Sequence, residues 1–388
     1  MRSKETIIYI NFAPYENAGK ILDYILTRFH TVLVFSFNFH RLGVHQKPST
    51  LRIYREGKII KHFRLIQTPT TPQIAFLLLP IRSLIIFLQI IFHAIRLHRE
   101  FGPYDIYFTV NAFTAWSGNI LRRIGIVKKT IFWVWDYYPP IDKSKIVMFM
   151  RWMYWQFDKL ASHSDSLIFL NHRLEKLRKK INILPLAKSY PIVGIGTKII
   201  NIQRNPTFSL LFIGVLKQSQ GLDLILSNTE KLFSTFPAIA LHIIGSGPDE
   251  DYFKKLAQKS KMPIYFHGLL DVFSVDAKQI IKKTAIGIAP YKPERGNVSY
   301  FGDPAKIKNY IGYGLPVITT NVFEFAKEIK KTKSGIVIPY NITSFIRALK
   351  KINADYSEYA SNSYKLSKKY NYTKYYNVIF KNITQATY

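Results

Sequence analysis

Between Ser209 and Ile338 the chain repeats one local pattern: a short apolar run, a glycine turn, then a segment of helical periodicity. Ser209 to Gly214, Ala240 to Gly245, Ile264 to Gly268 and Ala285 to Ala289 are such runs, and Leu315 to Ile318 and Ser334 to Ile338 follow in the same manner. Strands alternating with helices argue for a parallel sheet, and ligands of such sheets bind outside the carboxyl ends of the strands.

Residues 302 to 320 are the most informative of these stretches. Asp303 reads as an N-cap and Pro304 as the first helical residue. Ile307, Tyr310 and Ile311 recur at helical spacing, and Gly314 stops the helix before the next strand. A helix that starts in a glycine-rich loop offers free N–H groups and the positive end of its dipole to a phosphate. Lys306 adds a mobile positive charge at that same end, where a cation is disfavoured unless an anion or solvent meets it. The plainer reading is an ordinary αβ unit with a surface lysine.

Five blocks in order make the reading specific: Phe212-Ile213-Gly214 with Lys217 and Gly221; Ile243-Ile244-Gly245-Ser246-Gly247-Pro248; Phe266-His267-Gly268; Pro290-Tyr291; and Pro304-Ala305-Lys306 through Tyr310 to Gly314-Leu315-Pro316-Val317-Ile318. The series resembles the donor domain of GT-B glycosyltransferases, group 1 or family 4 type. The resemblance implies an α/β chain of two Rossmann-like domains facing each other across a cleft. Residues 1–195 would form an acceptor-binding domain, 205–362 the nucleotide-sugar donor domain, and 363–388 a helix returning to the first. It implies a nucleotide-sugar as co-substrate with no further cofactor and no metal, a saccharide or lipid-linked acceptor, and a hexosyl or related transfer with retention. It assigns donor contacts to Gly214, Gly245, Gly247, Pro290, Tyr291, Asp303, Pro304 and Tyr310, and leaving-group charge to Lys217 and Lys306. Ala18-Gly19, after the first strand, partially matches the family's glycine pair near the donor phosphates. The chain also departs from the pattern. Phe301 and Asn309 stand where many members carry two glutamates, and Val215 and Gln220 replace an Arg and Lys pair. A catalytically weak relative serving as a binding or scaffold subunit is therefore the alternative function.

The first half reads as αβ repeats too, with strands expected at 6–11, 31–37, 105–110, 130–135 and 166–171. Asp136 stands at a strand's carboxyl end in Trp133-Val-Trp-Asp-Tyr-Tyr, among aromatic side chains that suit sugar faces. It would orient an acceptor hydroxyl or, in an inverting enzyme, deprotonate it; the other reading is a helix N-cap. His40 and His172 have no metal-ligand spacing.

A hydrophobic content of 48% excludes disorder, and the absence of cysteine excludes a disulfide framework and a thiolate metal site. After Met-Arg-Ser-Lys-Glu-Thr, the apolar run Ile7 to Asn11 is too short for a signal-peptide core and is expected to be the first strand. The net charge of +31 implies an anionic partner. Residues 1–200 hold 29 Lys and Arg against 11 Asp and Glu, or +18. Nucleic acid is one such partner, but no binding motif supports it. A membrane surface is the other. Pro72 to His98 is strongly apolar but interrupted by Pro80, Arg82 and Gln89. It is expected to be a buried helix on the first sheet; a spanning helix and an interfacial one are the other readings. In the interfacial case Arg96, Arg99, Arg122, Arg123, Lys128 and Lys129 would meet anionic headgroups. The run Arg173 to Lys180 is a further candidate. The expected location is cytoplasmic, peripheral on the inner face of the membrane.

Overall fold

The computed structural model describes residues 2–13, 15–38, 48–67, 78–138, 144–181, 183–201, 208–294 and 297–384. Residues 72–77, at the start of the apolar stretch, and 202–207, around the expected boundary between the two domains, lie outside the described residues. The chain divides into two units: Met1–Gly194 with Tyr376–Tyr388, and Ile195–Tyr375.

The first unit runs β1 (Ser3–Phe12), α1 (Ile21–Arg28), β2 (Phe29–Phe37), β3 (Thr50–Arg55), β4 (Lys58–Arg64), α2 (Leu79–Phe101), β5 (Tyr104–Thr109), α3 (Ala112–Arg123), β6 (Val127–Val134), α4 (Lys145–Ala161), β7 (Ser166–Phe169) and α5 (His172–Lys180). Its sheet has the order β4-β3-β2-β1-β5-β6-β7. The strands expected from the sequence are the parallel ones. Ile7, Ile8, Tyr9 and Ile10 are all fully buried, which is why their runs lack the alternation of a half-exposed strand. The antiparallel β3–β4 hairpin is an addition to that expectation. Its signal is Glu56-Gly57, both at positive φ (51° and 79°), a two-residue turn of the kind that matches strand twist.

The second unit contains β8 (Ser209–Ile213), α6 (Asp223–Leu226), α7 (Thr229–Thr235), β9 (Ala240–Ile244), α8 (Glu250–Ala257), β10 (Ile264–Phe266), α9 (Val275–Lys282), β11 (Ile286–Ala289), α10 (Ala305–Gly312), β12 (Val317–Thr320), α11 (Ala326–Lys331), β13 (Gly335–Ile338), α12 (Ile342–Ala354), α13 (Tyr356–Lys369) and α14 (Tyr372–Tyr375). Its sheet is parallel throughout, in the order β10-β9-β8-β11-β12-β13. Chain order reverses between β8 and β11, so their carboxyl ends form the switch point where such sheets bind ligands.

Two expectations about helices change. The stretch read as a buried helix is α2, and only 28% of its most apolar window is buried. Ile86, Ile90, Ala94, Leu97 and Phe101 join the first unit's core, while the opposite face carries large apolar side chains in solvent. The return to the first unit comes at Tyr376, not at 363. Helix α13 stays with the second unit, where the Ser363 hydroxyl donates to Leu315 O at 2.6 Å and Leu366 enters the core. The terminal helix α15 (Asn377–Thr384) belongs to the first unit. There the Tyr24 hydroxyl donates to Asn377 Oδ1 at 2.7 Å and its ring stacks on Phe380.

Candidate functional site

Lys306 is the centre of the site in the second unit. It stands in the first turn of α10, but it is not the mobile charge expected there: the residue is 8% exposed. Its Nζ donates to Gln220 Oε1 at 2.8 Å and lies 4.1 Å from the Phe212 ring centroid and 5.0 Å from that of Tyr291. No carboxylate pairs with it among the described residues. Burial alone pushes its pKa down, to about 7. The aromatic faces return part of the lost solvation as cation–π attraction.

Three loops converge on this ammonium. Gly214, just after β8, sits against it: a Cβ there would lie 3.0 Å from Nζ. Pro290 and Tyr291 follow β11, and Tyr291 is 4% exposed. Gly221 has φ +77°, and a Cβ there would fall 1.7 Å from Pro290 O, so the post-β8 and post-β11 loops touch backbone to backbone. Lys292 N donates to Ser219 O at 3.2 Å, and Lys292 Nζ pairs with Asp223 at 2.9 Å, stapling the same two loops. The third element is the start of α10. Pro304 is its cap residue and supplies no side-chain cap, and the first turn holds no acid. The dipole end and the lysine therefore present one positive locus at the switch point.

Several sequence-expected residues take other duties. Asp303 does not cap α10. Its buried carboxylate accepts from Ile195 N at 2.7 Å and lies 3.4 Å from Lys308 Nζ. Burial pushes its pKa up, and the Lys308 charge opposes that. Lys308 is 1% exposed at its side chain and sits between the rings of Phe325 and Tyr370, 3.4 and 3.6 Å from their centroids. Burial lowers its pKa to about 8. This pair anchors the entry of the chain into the unit. Tyr310 is spoken for as well: its hydroxyl accepts from Ile213 N at 2.8 Å and donates to Ile288 O at 3.0 Å. It clamps α10 onto β8 and β11 and has no proton left to give a ligand. Tyr310→Phe leaves that N–H and that C=O without this partner. It should cost about 2 kcal/mol in urea unfolding, with the melting temperature lowered to match.

Gly245 and Gly247 serve close backbone packing. Gly245 has φ +147°, and its Cβ would lie 1.9 Å from Gly214 O; that of Gly247 would lie 2.5 Å from Leu216 O. They hold the post-β8 loop in place. Lys217 is exposed, and its ammonium has no partner among the described residues. The structure thus brings Lys306, Gly214, Pro290, Tyr291 and Pro304 together, adds Gln220 and Phe212, and leaves Lys217 at the rim.

A second cluster lies in the first unit, beyond β6. The reading of Asp136 as a helix cap is overturned, since Ser144 caps α4. The Tyr138 hydroxyl is 3.5 Å from Asp136 Oδ2, and Tyr138 meets Tyr154 edge-on at 5.2 Å. Asp136 keeps solvent-exposed surface. The desolvation that raises its carboxyl to about 6 thus comes from the aromatic mass around it, opposed by Tyr138 and Arg178 and aided by Asp158. Arg178 Nη2 donates to Asp136 O at 3.1 Å and to both Asp158 oxygens at 2.9 Å. That ion pair is 3% and 1% exposed. Sequence reading misses it because Arg178 lies in the basic run of α5, one face of which is itself buried, with Leu174 and Glu175 at i−4 and i−3 buried beside it. Gly19 is in the loop after β1, at φ 61°, and its carbonyl accepts from the Tyr376 hydroxyl at 2.9 Å.

Residues 207–355 match the family model described as Glycosyl transferases group 1. No curated protein matches the chain by sequence. Among solved structures, HepE of Anabaena in complex with UDP aligns at TM-score 0.63 and 12% identity over 98% of this chain and 99% of that one. WaaG, a glycosyltransferase involved in lipopolysaccharide biosynthesis, aligns at TM-score 0.61 and 16% identity over 98% and 99%. A point mutant of S. aureus TarM, in complex with fondaparinux, alpha-GlcNAc-glycerol and UDP, aligns at TM-score 0.55 and 14% identity. That match covers 72% of this chain and 55% of the longer TarM chain. At these identities the likeness is one of fold.

Proposed function

We propose that the chain, which has the GT-B fold and matches the group 1 glycosyltransferase model over residues 207–355, moves a sugar from a nucleoside-diphosphate donor to a saccharide or lipid-linked acceptor at the inner face of the membrane. The observation that carries the donor reading is Lys306: a buried lysine with no acid beside it among the described residues, at the switch point of a parallel sheet, next to an uncapped helix start. Breaking the bond between the sugar C1 and the diphosphate leaves negative charge on the departing oxygen. A preorganised cation and N–H donors stabilise that charge as it develops. The acceptor oxygen bonds to C1, and in the retaining course its proton leaves with the diphosphate oxygen. In the first unit Asp136 is the group that holds the acceptor hydroxyl, with Tyr138 and Tyr154 as the apolar wall for the sugar ring. UDP in the HepE and TarM complexes makes a uridine donor the first to try, and the role of WaaG in lipopolysaccharide biosynthesis favours a lipid-linked acceptor.

A thermal-shift series with UDP, GDP and ADP, paired with an assay for released nucleoside diphosphate, tests the reading. A bound nucleotide at about a hundred times its dissociation constant stabilises the folded state by about 2.7 kcal/mol. Stabilisation by one nucleoside diphosphate, with its release from the sugar conjugate when acceptor is added, is the expected result. No shift with any of them overturns it. A shift without turnover leaves a binding subunit.

A further inference from the structure

We propose that the outer face of the α2–α4 helical layer is a monolayer-insertion surface, with α2 lying in the plane of an anionic bilayer instead of crossing it. Along α2, Ile81, Leu84, Leu88, Phe92 and Ile95 are 56, 55, 55, 58 and 46% exposed. Their spacing of three and four places them on one face of the helix, opposite the residues that enter the core. An ordinary amphipathic helix puts polar groups on that outer face. Here the polar residues Arg82 and Gln89 are the buried ones, and Gln89 holds both the N–H and the C=O of Ile66, at 2.6 and 3.2 Å.

The ridge does not stand alone. Phe87 of α2 stacks on Trp116 of α3 at 4.9 Å, and Phe113 of α3 meets Phe157 of α4 at 5.0 Å, so the three helices lie side by side. On α4, Phe149 and Trp152 are 55 and 47% exposed and stack on each other at 5.8 Å. A ridge of five large apolar side chains in solvent on one helix face is unusual on a soluble monomer. The ridge on α2 and the aromatic pair on α4 both suit the headgroup boundary, where a tryptophan keeps its N–H wet.

Two observations choose a lipid surface over other occupants. One face of α2 is committed to the β-sheet core through Ile86, Ile90 and Ala94, so the helix cannot be surrounded by lipid as a spanning helix is. The charge also leans one way. Arg96 and Arg99 are exposed near the end of α2, where the one acid, Glu100, is paired with Lys61. Arg123 is exposed at the end of α3 beside Ile124, itself 55% exposed, while its neighbour Arg122 pairs with Asp165 at 2.6 Å. With +18 over residues 1–200, a second copy would bring like charge to this face, whereas anionic lipid attracts it by about 1 kcal/mol per basic residue near the surface.

The proposal deepens the membrane part of the functional reading and rests on it. The test uses the full chain with mixed phosphatidylglycerol–phosphatidylcholine vesicles and, in parallel, with phosphatidylcholine alone. Co-sedimentation with the anionic vesicles is expected, weakened by salt. Leu88→Glu with Phe92→Glu should lower it about tenfold or more, and so should Arg96→Gln with Arg99→Gln. Quenching of tryptophan fluorescence by brominated lipid should fall in Trp152→Tyr. These are surface changes, so the nucleotide-induced thermal shift must survive in every variant; that shift, read in solution, reports separately on the donor site. Three results overturn the proposal: wild-type protein that ignores anionic vesicles, a Leu88/Phe92 variant that binds them as well as wild type, or wild-type self-association that the same variant abolishes.

Discussion

Replacing Lys306 with alanine is expected to lower glycosyl transfer by about two to three orders of magnitude, the usual cost of removing one preorganised group that meets developing charge. The fold should not suffer. A buried ammonium with only Gln220 and two ring faces around it is a burden on the unliganded protein, so Lys306→Met should melt at or above the wild-type temperature. The pH dependence separates these effects. In the unfolded chain the lysine titrates near 10.5, and in the folded chain near 7. Between those values the folded state holds fewer protons, so stability rises with pH across that window, and below about pH 7 the full cost of burying the charge is present. Nucleotide affinity runs the opposite way. A diphosphate needs the charged lysine, so wild-type affinity should fall as pH rises above 7, with proton uptake on binding. Calorimetry in two buffers of different ionisation enthalpy measures that uptake. In Lys306→Ala both the stability slope and the proton uptake assigned to this group should disappear. A variant that keeps wild-type turnover would remove Lys306 from the mechanism.

Gly245→Ala should destabilise the second unit by about 3–5 kcal/mol, at the upper end of single-residue effects. Two costs combine. At φ +147° an alanine is strained whatever the space, and its methyl would lie 1.9 Å from Gly214 O. Backbone cannot swing away as a flexible side chain does. Gly245 N is held by Gly268 O at 2.7 Å and Gly214 N by Ile244 O at 2.9 Å, so the strain passes directly into the loop against Lys306. Nucleotide binding should fall along with stability. Gly268→Ala is the control. Gly268 also has positive φ, +67°, but nothing lies within 4 Å of its Cβ position, so only the backbone strain of about 1–2 kcal/mol applies. Urea unfolding of the two variants should differ by about 2 kcal/mol or more; equal midpoints would mean that the loop yields without cost.

Legibility in the sequence tracks locality. The parallel strands are readable because fully buried runs such as Ile7 to Ile10 and Leu210 to Ile213 are apolar without alternation. The glycine turns are readable for the same local reason, although Gly245 and Gly247 act on neighbouring backbone and not on empty space. The β3–β4 hairpin has a local signal, Glu56-Gly57, that is easily passed over. Arg178 and Asp158 have none. They are twenty positions apart, and only the packing of α5 against α4 makes them a buried pair that holds the Asp136 backbone. Helix α2 shows the limit from the other side. Its composition fits a buried helix, a spanning helix or an interfacial one equally, and which face meets the sheet is a matter of what the sheet leaves uncovered.

The clearest division lies within α10. From the sequence alone come the helix, its start beside a glycine-rich loop, and two lysines at 306 and 308. The sequence cannot say which of them serves a ligand. Residues two apart on a helix point to different sides, and what each side meets is set by the sheet and by chain far away in sequence. Folding turns Lys306 toward Gly214, Gln220 and Tyr291, where no described acid neutralises it. It turns Lys308 toward Asp303, Phe325 and Tyr370, where its charge is already used.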